Sequence, residues 1–380
     1  MAVGRDADGR WVYQWLNGDK RADMIVHEAE PYNAEPPLHG LAGKRLTAVE
    51  SFYSRNHGPV PRLDPATWRL CVDGLVDQVL ELSLEDLKDR FEARSLTATL
   101  QCAGNRRAGF LAVRDIPGED PWRGGATSTA RWTGVLLADV LAAAGLQGTA
   151  AHVEFAAPDF SDLADPPQPY AGSVPVGKAV SGAVLLAWGM NGQPLPALHG
   201  GPVRVVVPGW VGARSVKWVQ RVTARTTPSD GYFQATAYRL LAADADADAD
   251  LSAAGPGTGV SLGPVALNTE VLEPADGASV PAGGADVTGY AFAGDGRGVA
   301  RVEVSADCGR TWIQAEVEDQ DGPWSWQLWR ARVVLDPGEV VLTARAWDTA
   351  GVAQPQHAEH LWNPKGYFNN SWPEVGVTVT

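Results

Sequence analysis

The sequence predicts an α+β protein in which a mixed α+β domain over residues 1–250 precedes an antiparallel β-sandwich over residues 251–380. Three observations favour this fold class. Helix-spaced apolar residues and short β-branched runs both occur in the first part of the chain, whereas the pattern has period two beyond about residue 264. Between these parts lies the acidic tract AADADADAD at 242–250, which cannot bury apolar surface and is expected to be a surface linker or loop.

Composition and charge exclude several classes of protein. A chain of 380 residues with 45% hydrophobic residues can form a large core. Its net charge of -14 has the wrong sign for binding nucleic acid or an anionic membrane. No apolar run reaches the roughly 20 residues of a membrane helix, and the opening MAVGRDADGRWVYQW has no apolar export signal. We expect a cytoplasmic protein, or a periplasmic one if a leader has been removed.

The first domain begins with about sixty irregular, proline-punctuated residues. Ser83 and Asp86 form a capping-box pattern that predicts a short helix with Leu84, Leu87 and Phe91 on one face. TATLQC predicts a strand that runs into a turn at Gly104-Asn105. Two further elements are a helix over Thr133–Ala144, ended by Gly145, and a buried strand over Val203–Val207, ended by Pro208-Gly209.

The second domain is predicted from alternation and turn signals. Val302 and Val304 alternate with polar residues, and a similar alternation begins at Val340. Turns are expected at 294–296, 307–309 and 336–338. Strands at these intervals are typical of a β-sandwich.

Only three cysteines occur, Cys71, Cys102 and Cys308, and their spacing fits neither a zinc site nor a disulfide framework. Cys102 lies in LTATLQCAGNRRAGF, where Arg106 and Arg107 are expected to lower the pKa of the thiol. A thiolate is a soft metal ligand. From the residues alone, a metal ligand and a buried structural cysteine are both open interpretations. The glycine-rich GPGTG and GDGRG lack a strand–helix context and are predicted to be turns.

Four segments of the chain share a family resemblance: SFYSRNHGPVP at 51–61, the cysteine segment at 96–110, WRGGATSTARWTGV at 122–135 and LHGGPVRVVVPGWVGARSVKW at 198–218. Together, and with KGYFNNSW at 365–372, they resemble the sulfite oxidase family of molybdenum enzymes. The resemblance runs from about residue 20 to the end of the chain. It implies a molybdopterin-binding domain of the sulfite oxidase fold, followed by an immunoglobulin-like sandwich that forms most of a homodimer interface.

The resemblance also implies a site for the molybdenum–molybdopterin cofactor. Cys102 matches the cysteine that ligates molybdenum in the family. The positions that match cofactor-binding residues are Tyr53, Ser54, Arg55, Asn56, His57, Asp159, His199, Arg204, Ser215, Val216 and Lys217. A buried phosphate requires cations and backbone donors, which is the role expected of Arg204 and Lys217. Taken singly, such residues are more often surface ion pairs or hydrogen-bonded core histidines.

A second implied site binds the substrate, a small oxyanion. The positions that match it are Arg55, Arg107, Trp122, Tyr238 and Lys365. Two departures from the animal enzymes occur here. Lys365 replaces an arginine, and an ammonium cannot form a bidentate clamp on an oxyanion. Ala237 stands where those enzymes have aspartate.

The function expected from the resemblance is molybdenum-dependent oxidation of sulfite to sulfate. No haem, flavin or nicotinamide domain signature occurs, so electrons are expected to pass to a separate acceptor such as cytochrome c or oxygen. Within the family the alternative is a nitrate reductase-like protein or another oxyanion or sulfoxide reductase. An alternative of another class is a non-catalytic β-sandwich binding protein, which would need neither Cys102 nor the arginine cluster.

Overall fold

A computed structural model describes residues 20–242 and 256–380. The acidic tract, apart from Ala242, and the domain boundary predicted at residue 250 lie outside these residues, so the boundary stays a prediction. On either side of the gap the chain forms sheets of different architecture.

The first part combines many strands with three short helices. The strands are β1 Ile25–Glu28, β2 Asn33–Glu35, β3 Leu70–Gly74, β4 Leu80–Leu82, β5 Ala93–Gln101, β6 Thr127–Leu136, β7 His152–Ser161, β8 Gln168–Pro175, β9 Leu185–Met190, β10 Gln193–Pro194, β11 Arg204–Val206, β12 Arg221–Arg225, β13 Arg239–Leu240 and β14 Val260–Ser261. The helices are α1 Leu84–Arg90, α2 Leu137–Ala144 and α3 Val176–Ala179. Before β3, the described residues form only the β1–β2 hairpin and single 3-10 turns, as the proline pattern predicted.

Two five-stranded sheets build the first domain. One has the order β10-β9-β6-β5, with β11 also paired to β9, and the other has the order β4-β3-β12-β7-β8. Between them lies an apolar core that includes Leu70, Phe155, Val205 and Val222, each fully buried. Strand β5 ends at Gln101, and Cys102 follows directly in a separate buried cluster that includes Phe52, Tyr53 and Leu100.

Helix α1 confirms the capping-box prediction. The Ser83 hydroxyl accepts a hydrogen bond from the Asp86 N–H at 3.0 Å, and the Asp86 carboxylate accepts one from the Ser83 N–H at 2.8 Å. Leu87 is the buried residue of the helix.

The prediction for the second helix was wrong at its start. Residues 133–136 continue strand β6 and pair with β9, and α2 begins only at Leu137. Its end at Gly145 is confirmed by a left-handed backbone there, and Leu137, Val140 and Leu141 of the helix are buried. Leu136, Leu137, Val140 and Leu141 have helical spacing, but long-range strand pairing overrides this short local period at Leu136.

The second part is an antiparallel β-sandwich, as predicted. Its strands are β15 Asn268–Glu273, β16 Ala278–Val280, β17 Gly283–Phe292, β18 Val299–Ser305, β19 Ile313–Gln314, β20 Glu316–Val317, β21 Gln327–Leu335, β22 Gly338–Asp348 and β23 Glu374–Val379. They form sheets of order β15-β17-β21-β20 and β16-β23-β22-β18-β19, in which only β16 pairs in parallel. Positive φ angles at Asp295, Cys308 and Gly338 confirm the three predicted turns.

Two polar positions depart from the alternation of β18, since Glu303 and Ser305 are both buried. Glu303 is buried between two valines that are also buried, and its carboxylate contacts Arg345 at 2.8 Å and also pairs with Arg301. The buried carboxylate is tolerated because two guanidinium groups neutralise it.

None of the helices formed by residues 20–242 and 256–380 has the length and hydropathy needed to cross a membrane.

Candidate functional site

A cavity opens where the end of β5 meets the segment after β2 and the segment around β11. Its lining is formed by Phe52, Tyr53, Ser54, Arg55, Asn56, His57, Leu100, Cys102, Ala103, Asp159, Tyr170, His199, Arg204, Gly212, Ala213, Ser215, Val216, Lys217, Trp218 and Tyr238. The cavity therefore brings together one cysteine, three cationic side chains and all eleven positions that the sequence assigned to a cofactor.

Cys102 is held at the cavity wall by its backbone. Its N–H donates to the Ala126 carbonyl at 2.9 Å, and the residue is 7% exposed. Burial raises the pKa of the thiol, although Arg55 and Arg107 oppose this effect. The expected net lowering of this pKa by neighbouring arginines was therefore wrong, because the effect of burial is larger than that of the arginines. Cys71 lies on β3 and Cys308 in an exposed turn, and neither lines the cavity.

Arg106 does not contribute to the cavity. It has a left-handed backbone with φ of 65°, which turns its side chain toward the sandwich domain. There it pairs with Glu270 at 3.2 Å and donates to the Ser371 carbonyl at 2.6 Å. Two adjacent arginines thus serve different sites, and Arg106 joins the two domains.

The segment Tyr53–His57 forms one wall of the cavity. His57 Nε2 lies 2.6 Å from the Tyr238 hydroxyl, and its ring packs against Tyr170 and Phe233. Burial, reinforced by Arg55 and Lys217, holds the pKa of His57 well below its usual value. A neutral imidazole is the result, and its hydrogen bond fixes the Tyr238 side chain at the cavity.

Arg204 and Lys217 form a cationic end of the cavity. Arg204 donates to the carbonyls of His199 at 2.8 Å and Ser215 at 2.9 Å, and Lys217 bonds Asn56 and the Leu198 carbonyl. In the described part of the chain, neither cation has a carboxylate within 4.0 Å. Burial lowers the pKa of Arg204 to about 10. Buried cations bonded only to neutral groups create a strong field for an anion.

Among residues 20–242 and 256–380, two polar atoms of the lining have no hydrogen-bond partner. They are the Ser54 hydroxyl and Asp159 Oδ1, both buried. Burial raises the pKa of Asp159 to about 7, with Lys217 acting in the opposite direction. Unpaired buried polar atoms are costly, so their presence here indicates a ligand that bonds them. A polar, phosphorylated cofactor fits this lining, which has two unpaired polar atoms and the cations Arg204 and Lys217 in the same cavity as Cys102.

Three positions assigned to the substrate do not line the cavity. Arg107 and Lys365 lie just beyond it and both contact Glu119, at 3.1 and 3.0 Å. Trp122 is buried and packs on the ring of His27 at a centroid distance of 4.6 Å. Arg55 and Tyr238 do line the cavity. The substrate assignment of Arg107, Trp122 and Lys365 therefore stays a prediction, and Trp122 takes a packing position.

Sequence reasoning missed three residues near the cavity. Lys20 Nζ lies 2.9 Å from His199 Nε2 and donates to the Val49 and Phe52 carbonyls. Tyr367 stacks on Tyr238 with a centroid distance of 5.6 Å. Lys20 and Glu119 stand in no motif and gave no signal, whereas Tyr367 lies within KGYFNNSW and could have been found.

No three His, Cys, Asp or Glu side chains gather as a metal site within residues 20–242 and 256–380. Cys102 on its own supplies one soft ligand, which fits a metal whose other ligands come from an organic cofactor.

Comparisons with known proteins agree with this geometry. Residues 57–233 match the oxidoreductase molybdopterin binding domain, and residues 263–380 match the Mo-co oxidoreductase dimerisation domain. The chain is 43% identical to sulfite oxidase of Gallus gallus over 92% of its length and 76% of that protein. It is 34% identical to sulfite oxidase of Arabidopsis thaliana, with 94% of each chain covered.

A solved structure shares the fold of the whole chain. The structure of the sulfane dehydrogenase SoxCD from Paracoccus pantotrophus superposes with a TM-score of 0.79 and 26% identity, covering 100% of this chain and 92% of that one. The chain belongs to the sulfite oxidase family of molybdopterin oxidoreductases.

Proposed function

We propose that this protein binds molybdenum and molybdopterin in the cavity and oxidises sulfite to sulfate, passing electrons to a separate acceptor such as cytochrome c or oxygen. One observation carries the proposal. A buried cysteine, cations without carboxylate partners and orphaned polar atoms meet in one cavity of a chain that belongs to the sulfite oxidase family.

The residues that would hold the cofactor divide by chemistry. Cys102 would be the thiolate ligand of the metal. Arg204 and Lys217, with the backbone of Ser215 and Val216, would bind the phosphate, because in the described parts of the chain these cations hydrogen-bond only to neutral groups. The other polar positions of the wall would bond the pterin through Ser54, Asn56, Asp159 and His199. When bound, molybdenum supplies the oxygen-atom and two-electron chemistry of the reaction.

Arg55 is the cation best placed to attract the substrate. It lines the cavity with Cys102, and its hydrogen bond is to a carbonyl, that of Asn56. Tyr238, oriented by His57, presents a hydroxyl in the same cavity. A guanidinium and a hydroxyl that are fixed before the anion arrives bind it without the cost of ordering them.

Turnover with defined acceptors tests the proposal. Molybdenum-loaded protein should oxidise sulfite with at least one of cytochrome c, ferricyanide and oxygen. Reduction of nitrate by the same preparation, without sulfite oxidation, would favour the nitrate reductase-like alternative. Protein from a host that makes the cofactor, folded but free of molybdenum, would instead favour the non-catalytic binding protein.

A further inference from the structure

One carboxylate forms ion pairs with two cations, Arg107 and Lys365, that the family resemblance assigns to the substrate. The Glu119 side chain reaches Lys365 Nζ through Oε1 at 3.0 Å and Arg107 through Oε2 at 3.1 Å. Its side chain is 18% exposed, and those of Arg107 and Lys365 are 4% and 23% exposed. The bridge is therefore a partly buried one, in which contacts between charges are strong.

Arg107 has partners on all three of its nitrogens. Besides Glu119, it donates through Nε to the Lys365 carbonyl at 2.9 Å and through Nη1 to the Asp120 carbonyl at 2.8 Å. Its guanidinium also lies over the ring of Tyr367, 5.4 Å from the centroid. An incoming anion must compete for a guanidinium that the protein already uses.

The bridge is coupled to the cavity. Tyr367 stacks on Tyr238, which lines the cavity. Glu119 acts electrostatically on both Arg55 and Tyr238. The charge of Glu119 therefore changes the electrostatic potential at the place where the proposed substrate would bind.

The charges of Glu119 and of the neighbouring cations affect how tightly this site binds an oxyanion. Arg55, Arg107 and Lys365 with Glu119 leave a net charge of about two, which a doubly charged oxyanion would neutralise. Removing the Glu119 carboxylate would raise the positive charge of this set by one, with Asp120 as a remaining acidic neighbour of Arg55, and a more positive set holds a dianion more tightly.

We propose that Glu119 competes with the oxyanion for Arg107 and Lys365 and so weakens the hold of this protein on sulfite and sulfate. This inference rests on the proposed function, and it identifies Glu119 as a residue that sets the affinity for sulfite and sulfate. Glu119 is a positioning residue that acts through the two cations. Its competition with the sulfate dianion favours release of the product.

The test measures binding of inorganic sulfate to the molybdenum-loaded protein by calorimetry at low, fixed ionic strength. Glu119→Gln should bind sulfate roughly three- to tenfold more tightly than the wild-type protein, as expected for loss of a partly screened charge contact. The KM for sulfite should fall in parallel. Glu318→Gln removes one negative charge from an exposed pair with Arg45 and should leave both quantities unchanged. Equal or weaker sulfate binding by Glu119→Gln would overturn the proposal.

A second variant keeps the test decisive if glutamine prevents folding. Glu119→Asp shortens the side chain by one methylene and should no longer span both cations, so sulfate should bind more tightly, by a smaller factor. Unchanged or weaker binding by this variant would also overturn the proposal. Failure of wild-type, molybdenum-loaded protein to oxidise sulfite would reject the proposed function, and the sulfate comparison would still decide the role of Glu119.

Discussion

At the scale of single residues, burial and positive charge act in opposite directions on Cys102. Burial raises the pKa of the thiol, and Arg55 and Arg107 pull it down. A metal that binds the thiolate would offset the cost of burying this charge. The same reasoning applies to Arg204 and Lys217, whose buried charges face neutral groups. The cavity therefore contains buried charged groups whose burial a bound cofactor would compensate.

We expect Cys102→Ser to abolish sulfite oxidation while the protein stays folded. A hydroxyl is a hard, weakly acidic replacement for a soft thiolate ligand. Activity per molybdenum and circular dichroism check this prediction. Cys71→Ser and Cys308→Ser are matched controls outside the cavity and should keep most of the activity. Full turnover by Cys102→Ser with bound molybdenum would exclude this cysteine as the essential ligand.

Lys365→Ala should raise the KM for sulfite several-fold and leave the molybdenum content nearly unchanged. The substitution removes one of the two cations bridged by Glu119, and Lys365 does not line the cofactor cavity. Lys365→Arg should lower the KM, since a guanidinium holds an oxyanion more tightly than an ammonium. Steady-state kinetics on protein of known molybdenum content measure both effects. Unchanged KM values in both variants would remove Lys365 from the substrate site.

The sequence could predict which residues gather at the cavity but not how each one points. All eleven cofactor positions line one cavity, because they lie in segments that strands such as β5 and β11 carry to the same place. The expected effect on the pKa of Cys102 treated Arg106 and Arg107 alike, whereas in the structure Arg106 has a left-handed backbone and pairs with Glu270 of the sandwich domain. Glu119 and Lys20 could not be predicted, since each has a partner far along the chain: Lys365 lies 246 residues from Glu119, and His199 lies 179 residues from Lys20.

At the scale of elements, the close approach of the segment Tyr53–His57 to β7 shapes the cavity. A Cβ at Gly58 would lie 2.1 Å from the Phe160 carbonyl oxygen, so only glycine fits there. The Ser161 hydroxyl donates to the His57 carbonyl at 2.7 Å and fixes the same approach. The position of His57 therefore depends on contact between two backbones.

Gly58→Ala should displace this segment and lower the molybdenum content of the purified protein. The added methyl group clashes with backbone, which cannot yield as a flexible side chain can. Metal analysis of the variant measures the effect. The control is Gly148→Ala, at an exposed glycine with nothing within 4 Å of the added atom. Normal molybdenum content in Gly58→Ala would show that this contact does not shape the cofactor site.

Ser83→Ala should lower the stability of the first domain by about 1 kcal/mol, because the helix loses its capping hydrogen bond. For a domain of this size that corresponds to a fall in Tm of about 2–4 °C. Thermal unfolding measures the shift. Ser181→Ala, at an exposed serine outside the helices, is the control. A Tm change no larger than that of the control would contradict the role of the cap.

Local signals predicted α1 but not the start of α2. Ser83 and Asp86 define a cap within four residues, so the sequence contains the whole interaction. Residues 133–136 belong to β6 because they pair with β9, fifty residues further along the chain. Such pairing leaves no local trace, and boundaries of this kind need the folded structure.

At the scale of the whole molecule, the sandwich domain matches a dimerisation domain over residues 263–380. We expect the protein to sediment as a homodimer at micromolar concentration, with the interface formed mainly by this domain. Analytical ultracentrifugation over a concentration series measures the association. A monomer with full activity at these concentrations would contradict the prediction.

The central claim is that molybdenum held at Cys102 oxidises sulfite. In the most direct test, molybdenum-loaded protein is mixed with excess sulfite under anaerobic conditions, without an electron acceptor. The amount of sulfate formed is then measured. We predict about one sulfate per molybdenum in the wild-type protein, since the cofactor takes up two electrons and stops. Formation of no sulfate by wild-type protein that contains molybdenum would contradict the claim.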